Sequence, residues 1–225
     1  MATLTFTQVI TRLNKFYGAP ATPSVTDPFE QVLWENVAYL ADDEKRAAAF
    51  LALRKTVGLR PDDILKAKPD RLLAATRMGG MVPELRAQRL RQSAEIVQIL
   101  LQGKLHAALD ESLAKAKKTL QRFPTIGEPG AEKILMFAGK YPVLGLESNG
   151  LRVLLRLGFA EEQKSYSGSY RAIKNAISGQ LPQACKSLVA VHQLLRRHGQ
   201  ELCKRSRPLC DQCPLKDACD YAVQF

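Results

Sequence analysis

The chain has 225 residues, enough for one large domain or two small ones with a real core, and its 46% apolar content is that of an ordinary globular protein. A net charge of +11 and a pI of about 9.6 point to an anionic partner, with nucleic acid first. No apolar run is long enough to cross a bilayer, no stretch joins a basic face to exposed Trp or Phe, and the start MATLTFTQVITRLNK lacks a signal-peptide pattern, so a membrane partner is excluded and an intracellular protein is expected.

Taken in chain order, the sequence reads as helices almost throughout. Phe6, Val9, Ile10 and Leu13 form an apolar stripe that predicts a helix over Thr5–Tyr17. The Pro-rich connector GAPATPSVTDP follows, and Asp27-Pro28 then opens a helix over Pro28–Leu40, with Asp as N-cap and Pro at the first helical position. Further helices are predicted at Glu44–Val57, Pro61–Ala67 and Asp70–Thr76. Gly79-Gly80 marks a turn, and Glu84–Gln102 reads as one long amphipathic helix. Ser112–Arg122, the stretch from Gly127 to about Gly139, Asn149–Leu157, Tyr166–Gly179 and Gln183–His198 complete the set, with a short helix near Pro214–Tyr221. No segment alternates with period two, so no sheet is expected, and there is no internal repeat or low-complexity tract.

Four of the five cysteines fall in the last 23 residues, as Cys203-x6-Cys210-x2-Cys213-x5-Cys219. A secreted disulfide framework would spread them out; clustering in a Cys-poor chain indicates a metal site. Four thiolates complete either a tetrahedral zinc or a four-iron cluster, and spacing alone leaves both open. Cys185 sits in an apolar helical pattern and reads as a buried core residue. His106, His192 and His198 share no ligand-like spacing and read as structural.

The 6-2-5 cysteine spacing, with His198-Gly199 before it and Asp220-Tyr221 after it, resembles the cluster loop of the endonuclease III family and its adenine-glycosylase relatives. Phe123-Pro124-Thr125-Ile126-Gly127 resembles the family's helix-hairpin-helix, and Leu151-Arg152-Val153 is also similar; the likeness begins near Asp27-Pro28-Phe29-Glu30. The resemblance implies an all-α fold of two helical lobes. One is a contiguous bundle over 24–139 ending in the hairpin. The other joins 1–23 to 140–225 and carries a [4Fe–4S] cluster on Cys203, Cys210, Cys213 and Cys219. It implies a monomer that binds double-stranded DNA in the cleft between lobes, in the cytoplasm with the nucleoid.

Site residues follow from the same resemblance. Thr125, Gly127 and Gly130 lie in the hairpin, whose backbone N–H groups would contact a DNA phosphate without reading sequence. Lys204, Arg205 and Arg207 sit in the basic cluster loop and would contact further phosphates, or else form a solvated charged loop. Where bifunctional members carry a nucleophilic Lys stands Pro129, so the usual lyase step is not expected. Lys133, one helical turn on, is a substitute nucleophile only if it reaches back; the plainer reading is a surface or DNA-facing lysine. The family's catalytic Asp is matched by Glu147, which reads either as the carboxylate that stabilises the sugar cation or as a helix N-terminal charge. Asn149 would cap that helix or touch the DNA backbone. Leu40 stands where a wedge residue is often found, and reads equally as core. Three activities follow: a monofunctional glycosylase, a non-catalytic reader of damaged or distorted DNA, and a lyase using Lys133.

Overall fold

The computed structural model describes residues 4–38 and 41–224, and among these there is no strand. No helix among them is long and apolar enough to cross a membrane. The chain divides into two compact units: Ser24–Lys140, and Met1–Pro23 together with Tyr141–Phe225.

Among the described residues the contiguous unit holds eight α-helices. These are α2 (Pro28–Val37), α3 (Asp43–Thr56), α4 (Pro61–Lys66), α5 (Pro69–Arg77), α6 (Pro83–Glu95), α7 (Leu105–Ala108), α8 (Leu113–Leu120) and α9 (Glu128–Phe137). The starts are written in the sequence. The Asp27 carboxylate accepts the Phe29 and Glu30 N–H groups at 2.9 and 3.0 Å, and Asp42 and Ser112 do the same for α3 and α8. Helix α2 buries Phe29, Val32, Leu33 and Val37 and packs against α3, α6 and α9. It is the centre of this core, which also takes in Leu53, Ile64, Leu90, Leu120, Ile134 and Leu135. The single helix expected over Glu84–Gln102 is interrupted. Helix α6 passes into a π-helical segment, Ile96–Leu100, and the chain then turns through left-handed Gln102 (φ 50°) and Gly103 (φ 74°). The wider turn leaves Ile99 and Leu100 in solvent, while Gln98 is tied to Asp62 at 2.5 Å.

The second unit holds α1 (Phe6–Tyr17), α10 (Ser148–Arg156), α11 (Tyr166–Ile177) and α12 (Cys185–Glu201). Helix α12 packs against α10 and α1, and α10 against α11. The stripe Phe6, Val9 and Leu13 meets a core that includes Leu151, Leu154, Ile173, Leu188 and Leu195. Helices α10 and α12 approach so closely at Gly199 that a Cβ there would lie 2.7 Å from the Cβ and 2.8 Å from the carbonyl oxygen of Asn149. Three short 3₁₀ turns, Cys210–Gln212, Lys216–Ala218 and Ala222–Gln224, replace the expected tail helix. Cys185 is half-buried in the first turn of α12 rather than in the core, because the apolar stripe begins a turn later at Leu188.

Candidate functional site

The hairpin joins α8 to α9 through Phe123–Gly127. Phe123 and Ile126 are buried and anchor the turn, leaving Thr125 and Gly127 exposed on either side of Ile126. The residue in the left-handed region is Thr125, at φ 65°, whereas Gly127 is extended, and a Cβ on it would touch only Pro129, at 3.9 Å. A β-branched residue held there costs about 1–2 kcal/mol. Its hydroxyl is used: it donates to Asn36 Oδ1 at 3.1 Å, and Asn36 Nδ2 donates to the carbonyls of Pro124 (3.1 Å) and Val32 (3.0 Å). Asn36, 2% exposed on α2, therefore grips the turn from below. Below the turn, Lys117 of α8 is clamped between Glu128 (2.6 Å) and Glu132 (2.7 Å) of α9. Burial alone pushes that ammonium down, and the two carboxylates together outweigh it, so the group is held charged. Gly127 has no side chain with which to cap α9, so that helix starts without a side-chain cap. A Cβ at Gly130 would meet only Ile126, at 3.5 Å.

Lys133 is not presented as a free amine. Its Nζ lies 2.6 Å from Glu35 Oε1, both groups being mostly buried, and Arg46 approaches the other carboxylate oxygen at 3.8 Å. Leu40 lies outside the described residues. Beyond it the loop after α5 carries Met78, Met81 and Val82, all well exposed. Gly79 lies so close to Val37 and Ala38 that any side chain would strike their backbone. Val82 is left-handed at φ 52°, and the fully buried Arg86 donates to the carbonyls of Thr76 and Met81. An apolar tip is thus held rigidly from beneath by a guanidinium.

In the second unit Glu147 is the N-cap of α10. Its Oε1 accepts the Gly150 N–H at 2.8 Å and its Oε2 accepts Asn149 Nδ2 at 2.7 Å. Asn149 Oδ1 in turn accepts from Arg152 at 2.7 Å, and Arg152 donates to the carbonyls of Gly199 (2.8 Å) and Cys203 (2.9 Å). The strand of chain before Glu147 is pinned by Lys174 on the Leu144 carbonyl (2.8 Å) and buried His192 on the Gly145 carbonyl (2.6 Å). Tyr166 stands close enough for burial, and then the Glu147 charge, to push its phenol up to about 12.

All four tail cysteines line one pocket with Leu157, Leu202 and Leu215. Polar groups flank two of the sulfurs: Arg156 donates to Cys203 at 3.4 Å and the Leu215 N–H to Cys213 at 3.4 Å, and His198 Nε2 lies 3.5 Å from Cys213. Arg156 also holds the carbonyls of Lys204 (2.8 Å) and Arg205 (3.0 Å) and stacks over Tyr221 at 4.2 Å. With no metal, burial pushes the Cys213 thiol up to about 11 and the Cys219 thiol upward too, so binding a metal would release protons. Burial also pushes His198 down to about 4, leaving the imidazole neutral. Lys204, Arg205 and Arg207 are exposed on the same loop. No three Cys, His, Asp or Glu side chains among the described residues converge closely enough to hold one metal ion.

The chain is 27% identical to an endonuclease III of Sulfolobus acidocaldarius over 194 residues, 86% of this chain and 82% of the relative. Its fold matches endonuclease III trapped as a covalent intermediate with DNA, at a TM-score of 0.78, 19% identity and 98% coverage of both chains. It also matches a thermostable thymine-DNA glycosylase, at a TM-score of 0.75, 15% identity and 96% coverage of both. In sequence and in fold the chain is similar to the endonuclease III-like helix-hairpin-helix DNA glycosylases. No family model matches it.

Within this glycosylase fold, three side chains that do structural work at the site gave little sign in the sequence. Asn36 was detectable only as a polar residue on the apolar face of α2. Arg152 was noted as part of the resemblance to the family, without its contacts. Tyr17 gave no signal, because its partner lies far along the chain.

Proposed function

We propose that the protein is a monofunctional DNA glycosylase that flips a damaged or mismatched base out of double-stranded DNA, acts as a monomer, and leaves the abasic site uncut. The observation that carries this reading is the position of Glu147. A carboxylate fixed at a helix N-terminus by a backbone N–H and an amide is stabilised as an anion by the helix dipole. Breaking the bond between base and sugar builds positive charge on the sugar, which such an anion stabilises while water adds and the base departs. The absence of a lyase step is supported by Pro129, which has no amine, and by the Glu35–Lys133 pair. In this reading Thr125, Gly127 and Gly130 offer the uncapped start of α9 to a phosphate, Lys204, Arg205 and Arg207 contact the backbone, Asn149 orients Glu147, and Met81 and Val82 supply the wedge that fills the vacated stack.

We further infer that Cys203, Cys210, Cys213 and Cys219 hold a [4Fe–4S] cluster. One zinc needs four sulfurs within about 2.3 Å of a point, whereas a cluster spreads its thiolates over four irons. Four cysteines around one apolar pocket offer the thiolates that a cluster needs. When bound, it cross-links the tail and fixes the shape of the basic loop.

The test is a single-turnover assay on duplexes carrying uracil, thymine glycol, alkylated purines, 8-oxoguanine or mismatches, half of each sample treated with alkali. Alkali-dependent cleavage supports the glycosylase and names its base; cleavage without alkali contradicts the missing lyase step. A second reading, a reader without chemistry, is favoured by the engagement of both Glu147 oxygens inside the protein. Salt-dependent binding with no product on any duplex would establish it.

A further inference from the structure

One buried polar chain in the cysteine-bearing unit plays no part in base removal. Tyr17 Oη lies 3.1 Å from His198 Nδ1, and His198 Nε2 lies 3.5 Å from Cys213 Sγ. His198 is 1% exposed, so no water competes for either ring nitrogen. A neutral imidazole has one donor and one acceptor, and the hydrogen bond at one nitrogen decides what the other can do. If Tyr17 donates its O–H to Nδ1, the proton sits on Nε2 and is aimed at the sulfur. The opposite tautomer would turn the Nε2 lone pair towards a sulfur that, as a thiolate ligand, has no proton to give.

Tyr17 is itself held in place. The Arg197 guanidinium stacks over its ring at 4.6 Å, and the His198 ring meets it edge-on at 5.9 Å. The Leu215 N–H donates to the same sulfur at 3.4 Å, so in that tautomer Cys213 receives both a backbone and an imidazole donor. Tyr17 belongs to α1, whereas His198 and Cys213 lie at the other end of the chain. As a donor to Nδ1, the Tyr17 hydroxyl would select the tautomer that faces Cys213.

We propose that Tyr17 and His198 form a hydrogen-bond relay that positions Cys213 as a ligand and sets both the retention and the reduction potential of the metal centre. The proposal rests on the [4Fe–4S] reading. A donor at a ligand sulfur favours the more negative, reduced cluster, so loss of that donor lowers the potential. It also loosens the ligand, and partners of this kind typically change metal affinity by about 10–100-fold.

The test uses full-length protein purified without oxygen, with Tyr17→Phe, His198→Leu and His198→Gln variants. Phe keeps the ring under Arg197 and removes only the hydroxyl. Gln places an amide N–H close to the lost Nε2 donor and needs no tautomer lock. The readouts are iron and sulfide per chain, the rate at which a chelator bleaches the visible band, and the potential by film voltammetry. Tyr17→Phe and His198→Leu are expected to bleach about 10-fold faster or more and to have a lower potential. His198→Gln should stay near wild type, and adding Tyr17→Phe to it should change nothing further. Wild-type bleaching and potential in Tyr17→Phe, with full iron, would overturn the relay and leave the cluster reading standing. Wild-type protein without iron or sulfide would overturn the cluster reading, and the relay with it. If His198→Leu does not fold, Tyr17→Phe alone decides.

Discussion

Replacing Thr125 by Val keeps the shape and the β-branch and deletes one hydroxyl. The left-handed strain at φ 65° is then common to both proteins and cancels. What changes is the hydrogen bond to Asn36 Oδ1, at 3.1 Å, whose acceptor is left buried without that donor. An orphaned buried acceptor costs about 1–3 kcal/mol. For a chain of this length that corresponds to roughly 2–12 °C in Tm. Thr125→Gly loses the same bond but also releases about 1–2 kcal/mol of left-handed strain, so it should lie close to wild type. The expected order in thermal and urea unfolding is therefore wild type and Gly together, Val clearly below. On the proposed function, in which this turn is offered to a DNA phosphate, affinity for duplex DNA should follow the same order. A Val variant as stable as wild type, or a Gly variant less stable than Val, would refute the argument that Asn36 stabilises this turn.

Three other outcomes are expected. Glu147→Gln should retain the cap on Gly150 and keep stability within about 1 kcal/mol, yet lose at least about 100-fold in single-turnover base release; an unchanged rate would make Glu147 a cap alone. Gly199→Ala should lower stability by about 1–3 kcal/mol in urea unfolding, because its methyl would collide with the backbone of Asn149 and force α10 from α12; an unchanged midpoint would contradict that packing. The logarithm of DNA affinity should fall with log salt, and replacing Lys204, Arg205 and Arg207 together by Ala should flatten that slope by up to about 3, as read by anisotropy titration. A slope that does not change would remove the loop from the interface.

Much of this was legible because its causes are local. Asp27-Pro28, Asp42 and Ser112 start their helices by bonding N–H groups two or three residues ahead, which any sequence window contains. The cysteine tail was legible because its spacing is itself the signal. Other features have causes elsewhere in the chain. The π-helical exit of α6 is secured by Gln98 reaching Asp62, 36 residues back. The Asn36–Thr125 bond spans 89 residues and the Tyr17–His198 bond 181, so neither leaves a pattern in its own neighbourhood. Lys133 illustrates the limit: helical spacing put it near the right face, and only the position of Glu35 on another helix reveals that its charge is already engaged.

The unit that carries the cysteines is assembled from both ends of the chain, with the other unit set between them. During synthesis α1, with its stripe of Phe6, Val9 and Leu13, emerges before the middle unit, while α12, against which it packs, emerges after it. At about 5–20 residues per second, the intervening chain takes roughly 10–30 s to appear. For that interval the apolar stripe of α1 lacks the helix that covers it in the folded protein. Any delay in delivering α12 therefore leaves that stripe uncovered for longer, independently of how stable the finished molecule is.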